Sequence, residues 1–178
     1  MNKKFLIPII VALFLIAFAL LFMKEDKVET TDSIPQDREI VLVHFIDNAN
    51  EATTTSCGVT RSVVRRIGKS EDMLTEALKE LFKGPIGEEK AEGLTSSFEP
   101  TSSMPAETKP LAAYFNKVTF QYGVATADFK KEALIYLNSS ACFQESVKQP
   151  IENTLYQFPD VEEVRYSIDG VEFTEWDA

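Results

Sequence analysis

The chain has 178 residues, with 28 acidic against 18 basic side chains and a formal net charge of −10. That length is one domain's worth, enough to close a single hydrophobic core without metal or disulfide support. With Lys3 and Lys4 set aside, 16 basic residues face 28 acids, so the chain beyond its apolar N-terminus carries −12. Such a surplus repels phosphate backbones and anionic headgroups, which argues against a nucleic-acid partner.

Phe5 to Met23 is a charge-free apolar run. At helical rise it spans roughly 28 Å, the hydrocarbon thickness of a bilayer. A cleaved signal peptide would use Ala17 to Ala19, but more apolar residues follow that site. A lipoprotein would need a cysteine just after the run, whereas the first is Cys57. The segment reads best as an uncleaved signal anchor. Lys3 and Lys4 before it balance Lys24 and Lys27 after it, so charge alone barely orients the span. The short free N-terminus favours N-in insertion. The expected organisation is therefore a cytoplasmic 1–4, a transmembrane 5–23, a flexible tether 24–39 and an extracytoplasmic domain 40–178.

The tether is charged, contains proline and lacks apolar period. Ile40 to Ile46 is a continuous apolar run expected as a buried strand, and Thr60 to Ile67 as a second strand with charge at both ends. Ser70 is positioned to cap a helix whose stripe is Leu74, Ala77, Leu78, Leu81 and Phe82, ended by Gly84 and Pro85. The polar stretch to Lys109 is long for a compact domain and should wrap the surface or carry function. Val118 and Phe120, then Val124, Ala125 and Ala127, predict a hairpin turning at Tyr122-Gly123. A second helix follows, with Ser139 or Ser140 as its cap and the stripe Phe143, Val147, Ile151, Leu155 and Phe158. Pro150 lies inside that stripe and predicts a kink rather than a break, because the register continues across it. Val161 to Phe173 reads as two strands about an Asp-Gly turn. The order predicts an α+β fold, a mixed sheet with two main helices packed on one face.

No catalytic set can be assembled. His44 is the single histidine and sits in an apolar strand, where a packed or edge role is the ordinary one. Neither a triad nor a zinc site follows, and no metal or cofactor is expected. Residues 84–93 lack the Gly-Lys-Ser/Thr ending of a phosphate loop and the alternating ligands of an EF-hand. They read as punctuation: Gly84-Pro85 ends one helix, Glu88 to Glu92 form a helical turn, and Gly93 ends that.

Cys57 and Cys142 allow one pairing in an oxidising compartment, where closing the loop would contribute about 4 kcal/mol. The alternative is two buried thiols. Their polar, Ser/Thr-rich settings favour the bond. Arg61, Arg65 and Arg66 form a basic spot in an acidic domain. They keep an edge strand soluble, or pair with a neighbouring acid, or make a contact site for an acidic surface on another copy or partner. On the second helix, Glu145, Lys148 and Glu152 are expected on the exposed face, as a second candidate interface.

Three blocks of the sequence stand out together. The first holds Leu81, Gly84, Pro85, Glu88, Gly93, Leu94 and Ser96, and the hairpin holds Gly123, Val124, Ala125, Asp128 and Phe129. The last holds Ile151, Thr154, Leu155, Gln157, Phe158, Pro159, Val161, Val164, Asp169 and Gly170. At these residues the chain resembles the GerMN domain family, the sporulation and spore-germination module, with Tyr122 where Asn is usual. The resemblance covers about residues 40–173. It implies a non-catalytic, membrane-tethered module with a fold like the ring-building modules of secretion systems. Its expected partners are the membrane and other envelope proteins or copies of itself. A module that binds a small solute or peptidoglycan fragment is the competing reading, and a concave polar pocket would favour it.

Overall fold

The structure, a computed structural model, describes residues 38–51 and 57–176. They belong to a compact unit running from Asp37 to Ala178. The expected membrane span at 5–23 and most of the tether lie outside the described residues. Among the described residues, no helix is long and apolar enough to cross a membrane.

Strand β1 (Arg38–Asp47) begins inside the segment expected as tether and pairs antiparallel with β2 (Thr60–Gly68), Arg38 opposite Gly68 and Ile46 opposite Thr60. A short helix α1 (Asn48–Glu51) follows β1. Helices α2 (Met73–Leu81) and α3 (Gly87–Ala91) lead to β3 (Leu94–Thr95), which adds to the end of β1 at Ile46 and Asp47. The second sheet is β4 (Phe115–Gln121), β5 (Val124–Phe129), β6 (Glu163–Ile168) and β7 (Val171–Glu172), in that spatial order. Strands β5 and β6 are parallel, so a crossover must join them. It holds the short α4 (Leu134–Leu137) and the long α5 (Ala141–Leu155).

The fold is α+β, but the expected single sheet is two separate sheets, β2-β1-β3 and β4-β5-β6-β7. Helix side chains explain the division. Thr75 of α2 lies on the outer edge of β4, where its Oγ1 accepts the Val118 N–H at 2.7 Å. Thr154 of α5 accepts the His44 N–H at 3.1 Å, and Gln157 just beyond it brackets Leu42. Its Oε1 takes the Leu42 N–H at 2.7 Å and its Nε2 donates to the Leu42 carbonyl at 2.6 Å. These side chains take hydrogen bonds that a joining strand would need.

The core lies between the helices and the inner faces of both sheets. Val41, Val43 and Phe45 of β1 meet Ala77, Leu78 and Leu81 of α2 and Val147, Ile151 and Leu155 of α5. The small Ala125 and Ala127 on β5 are fully buried, as is Phe129. The polar segment after α3 wraps the surface as expected, but it also inserts Leu94 and Phe98 into the core. Strand β1, expected as a buried strand, is buried on one face. Its run is apolar throughout, yet helices cover only the inner side, and Ile40 and Leu42 remain 54% and 37% exposed.

The first long helix is capped by Asp72 rather than Ser70: the Asp72 side chain accepts the Thr75 N–H at 3.1 Å, while Ser70 Oγ accepts that of Asp72. Helix α5 runs unbroken through the buried Pro150, so the chain does not restart there as a second helix. The helical register is what carries Val147, Ile151 and Leu155 to one side.

Candidate functional site

The basic spot on β2 divides by strand alternation. Arg61, Val63, Arg65 and Ile67 point to the inner side, and Ser62, Val64 and Arg66 to the outer. Arg65 grips Glu89 through both terminal nitrogens, at 2.5 and 2.6 Å, and Glu80 Oε1 lies 3.5 Å from its Nε. Its guanidinium also sits 5.6 Å from the Phe45 ring centroid. The Arg65 hydrogen bonds hold the Glu89 carboxyl below the usual range against the opposing effect of burial. Arg61 reaches Glu92 at 2.9 Å and Asp47 at 3.4 Å. Two of the three arginines are thus bound to acids of their own domain, which takes them out of the candidate contact site. Arg66 is exposed beside the Lys79 and Lys83 side of α2.

The acids of residues 84–93 hence do more than punctuate. Glu89 Oε2 also accepts the Ile86 N–H at 2.8 Å, so one carboxylate caps α3 and ties it to β2. Gly84 and Gly93 end their helices with φ of 75° and 91°.

On α5 the expected exposed face is largely covered. Lys148 lies 4.7 Å from the Trp176 ring centroid and 3.6 Å from Glu145. Glu152 accepts a hydrogen bond from the Tyr166 hydroxyl at 3.3 Å, and burial raises its carboxyl above the usual range. The C-terminal residues Phe173 and Trp176 pack edge-on beside them. Only Glu145, with 42% of its side chain exposed, keeps a largely open surface. An aromatic segment arriving from the far end of the chain was not readable from the helix's own pattern.

Cys57 and Cys142 are joined, their Cα atoms 5.2 Å apart, which ties the loop before β2 to the first turn of α5. Gly58 makes that approach possible. Its φ is 79°, and a Cβ there would stand 2.9 Å from the Glu145 carbonyl oxygen. His44 is half-buried, its Nδ1 3.4 Å from Thr60 Oγ1, and burial lowers its pKa. It is a packed strand residue.

The remaining matched residues act as joints. Leu81, Leu94, Thr154 and Leu155 are fully buried. Tyr122-Gly123 and Asp169-Gly170 both have positive φ at each residue, the geometry of tight hairpin turns. Asp128 ties one turn to the neighbouring strand, accepting from Ser167 Oγ at 2.6 Å and the Gly170 N–H at 2.8 Å, while Asn116 donates to its other oxygen. Burial raises the Asp128 pKa, but these hydrogen bonds outweigh it and leave the carboxyl below its usual range. After α5, Phe158 closes the turn before Pro159 and accepts the Val161 N–H at 2.9 Å.

The outer face of the second sheet is a shallow depression of about 570 Å³, with Lys117, Thr119, Thr126 and Arg165 on its floor and Tyr122 at its rim. Arg165 is already paired with Glu163 at 2.8 Å and Glu172 at 3.6 Å. No group of acids, cysteines and histidine that could hold a metal occurs among the described residues.

Two sheets, a long crossover helix and turn-defining glycines make this a small α+β module. The family model described as "Germane: Sporulation and spore germination" matches residues 42–174, and the chain belongs to that family. No curated protein matches it. Among solved structures it is similar to the first GerMN domain of the sporulation protein GerM from Bacillus subtilis. That match has 24% identity and a TM-score of 0.52 and covers 79% of this chain and 90% of that one. The tandem GerMN domains of the same protein match at 22% identity and a TM-score of 0.51, over 79% of this chain and 43% of that one. The chain thus spans less than half of the tandem structure. These likenesses establish the fold.

Proposed function

We propose that the chain is a membrane-tethered, non-catalytic protein-interaction module displayed outside the cytoplasm, acting in sporulation or germination through assembly with envelope proteins or with itself. The observation that carries the interaction reading is an uncovered apolar strip. Ile40, Leu42 and Val64, at 54%, 37% and 60% exposure, are neighbours on the outer face of the first sheet. Exposed apolar side chains grouped in this way mark contact surfaces more often than single ones do. The Cys57–Cys142 bond and the apolar run Phe5 to Met23 support an extracytoplasmic, anchored placement. The non-catalytic reading is supported by the titratable groups themselves: Glu89, Asp128 and Glu152 are each engaged with structural partners.

Full-length protein should remain in the membrane fraction through alkaline carbonate extraction, and protease added to intact cells should remove the domain. A soluble form beginning near Leu20 contradicts the anchor. The depression beside Tyr122 favours a second reading, a module for a small polar solute or peptidoglycan fragment. Saturable binding of such a fragment, lost with Thr126→Trp, would select that reading.

A further inference from the structure

The long strands do not end alike. The outer edge of β4 is capped at Val118 by Thr75, and the far edge of β1 at His44 and Leu42 by Thr154 and Gln157. Among the described residues, no strand lies beyond β2 in the order β2-β1-β3. The parity of its peptide groups follows from β1. Leu42 and His44 turn their N–H groups toward α5, so Val41, Val43 and Phe45 are the residues that exchange hydrogen bonds with their partners Arg65, Val63 and Arg61. By alternation, Ser62, Val64 and Arg66 present their N–H and C=O groups along the far edge of β2, where the Val64 carbonyl accepts one long hydrogen bond, from Arg65 Nη1 at 3.4 Å. A strand of nine residues with its outer face part apolar is the kind of edge that natural proteins cover.

We infer that β2 pairs antiparallel with β2 of a second copy, about a two-fold axis at Val64. This rests on the assembly reading above and names its surface and geometry. Val64 is 60% exposed and stands directly opposite Leu42 in the register of the first sheet. A two-fold axis there sets Val64 against Val64 and extends the row to Leu42, Val64, Val64 and Leu42 across four strands. It sets Ser62 against Arg66, so no like charges face each other. The two copies of Arg66 then stand four residues apart along the seam, roughly 13 Å, which exceeds a screening length of about 8 Å. Arg61 and Arg65 add little repulsion, because Glu92, Asp47, Glu89 and Glu80 already bind them on the inner side. An acidic domain thus meets its copy along a face where its own negative charge is locally offset.

The test is Val64→Cys in the full-length chain in its own membrane, under mild oxidation. Cys57 and Cys142 are bonded to each other, so residue 64 becomes the reactive thiol. In a hydrogen-bonded antiparallel pair the two Cα atoms stand about 5.5 Å apart, within disulfide reach. Most of the chain should run as a disulfide dimer, while Thr126→Cys, on the outer face of the second sheet, stays at least about tenfold less dimerised. Val64→Pro in the otherwise wild-type chain removes an N–H at the seam and leaves the pairing with β1 intact. It should abolish dimer capture by a lysine crosslinker at a near-normal melting temperature. Val64→Lys repeats the loss by opposing two cations should the proline variant unfold. A monomeric Val64→Cys chain, with the wild type still crosslinked through lysines, overturns the β2 seam and leaves assembly standing. Failure of both overturns the two readings together. Equal dimerisation of Val64→Cys and Thr126→Cys is collision and also overturns the seam.

Discussion

Tyr122 adopts a left-handed backbone, φ 52°, with its side chain wholly exposed. That conformation costs an ordinary residue about 1 kcal/mol or more, and Asn tolerates it better. Tyr122→Asn should therefore raise stability by about 0.5–1 kcal/mol in chemical denaturation; an unchanged or lower midpoint would show that the ring contributes packing of its own. Glu89 behaves oppositely with pH. Its folded pKa lies below the ordinary carboxylate value of 4.5, so the folded state binds fewer protons than the unfolded chain as acid is added. The stabilisation is complete above 4.5 and is lost as pH falls through the depressed folded value. Glu89→Gln should cost about 2 kcal/mol at neutral pH, because a charge-assisted pair is lost. The variant should then lose less further stability than the wild type on acidification. Parallel melting curves of the two proteins across that range would contradict the pairing.

At the scale of elements, the edges of the strands are set by single helix side chains. Thr75→Val keeps the shape of a buried residue but leaves the Val118 N–H without its 2.7 Å acceptor. An orphaned buried donor costs about 1–3 kcal/mol, and amide exchange at Val118 should quicken with it. A stability loss below about 0.5 kcal/mol would mean that water replaces the hydroxyl. The sequence made some of this architecture legible. Gly84-Pro85, Tyr122-Gly123 and Asp169-Gly170 are local backbone demands, and the stripe Ala77, Leu78, Leu81 has helical period, so each could be read in place. The division into two sheets could not, because it depends on Thr75 meeting Val118 and Gln157 meeting Leu42, 43 and 115 residues away. For the same reason Arg65 could be read as one half of an ion pair, but its partner Glu89, 24 residues away, could not be named. Lys148 looked open until Trp176 was brought beside it. The apolar run of β1 concealed its open face, since period alone does not separate one covered side from two.

Across the whole molecule, the Cys57–Cys142 bond spans 85 residues of sequence and joins the first hairpin to the crossover helix. In the chain-entropy model a loop of that size stabilises by about 4–5 kcal/mol. Reduction should lower the melting temperature by many degrees, and Cys57→Ala with Cys142→Ala should reproduce the reduced protein. A midpoint indifferent to reductant would show that α5 is held by its packing alone. The central claim is that this domain stands outside the cytoplasm and works by contact with protein, and one measurement addresses both halves. Intact cells carrying the full-length chain are treated with a membrane-impermeant, lysine-reactive crosslinker. The account predicts discrete larger species containing the chain, formed without breaking the cells. A chain that reacts only after lysis, or that reacts on intact cells and stays monomeric, would contradict it.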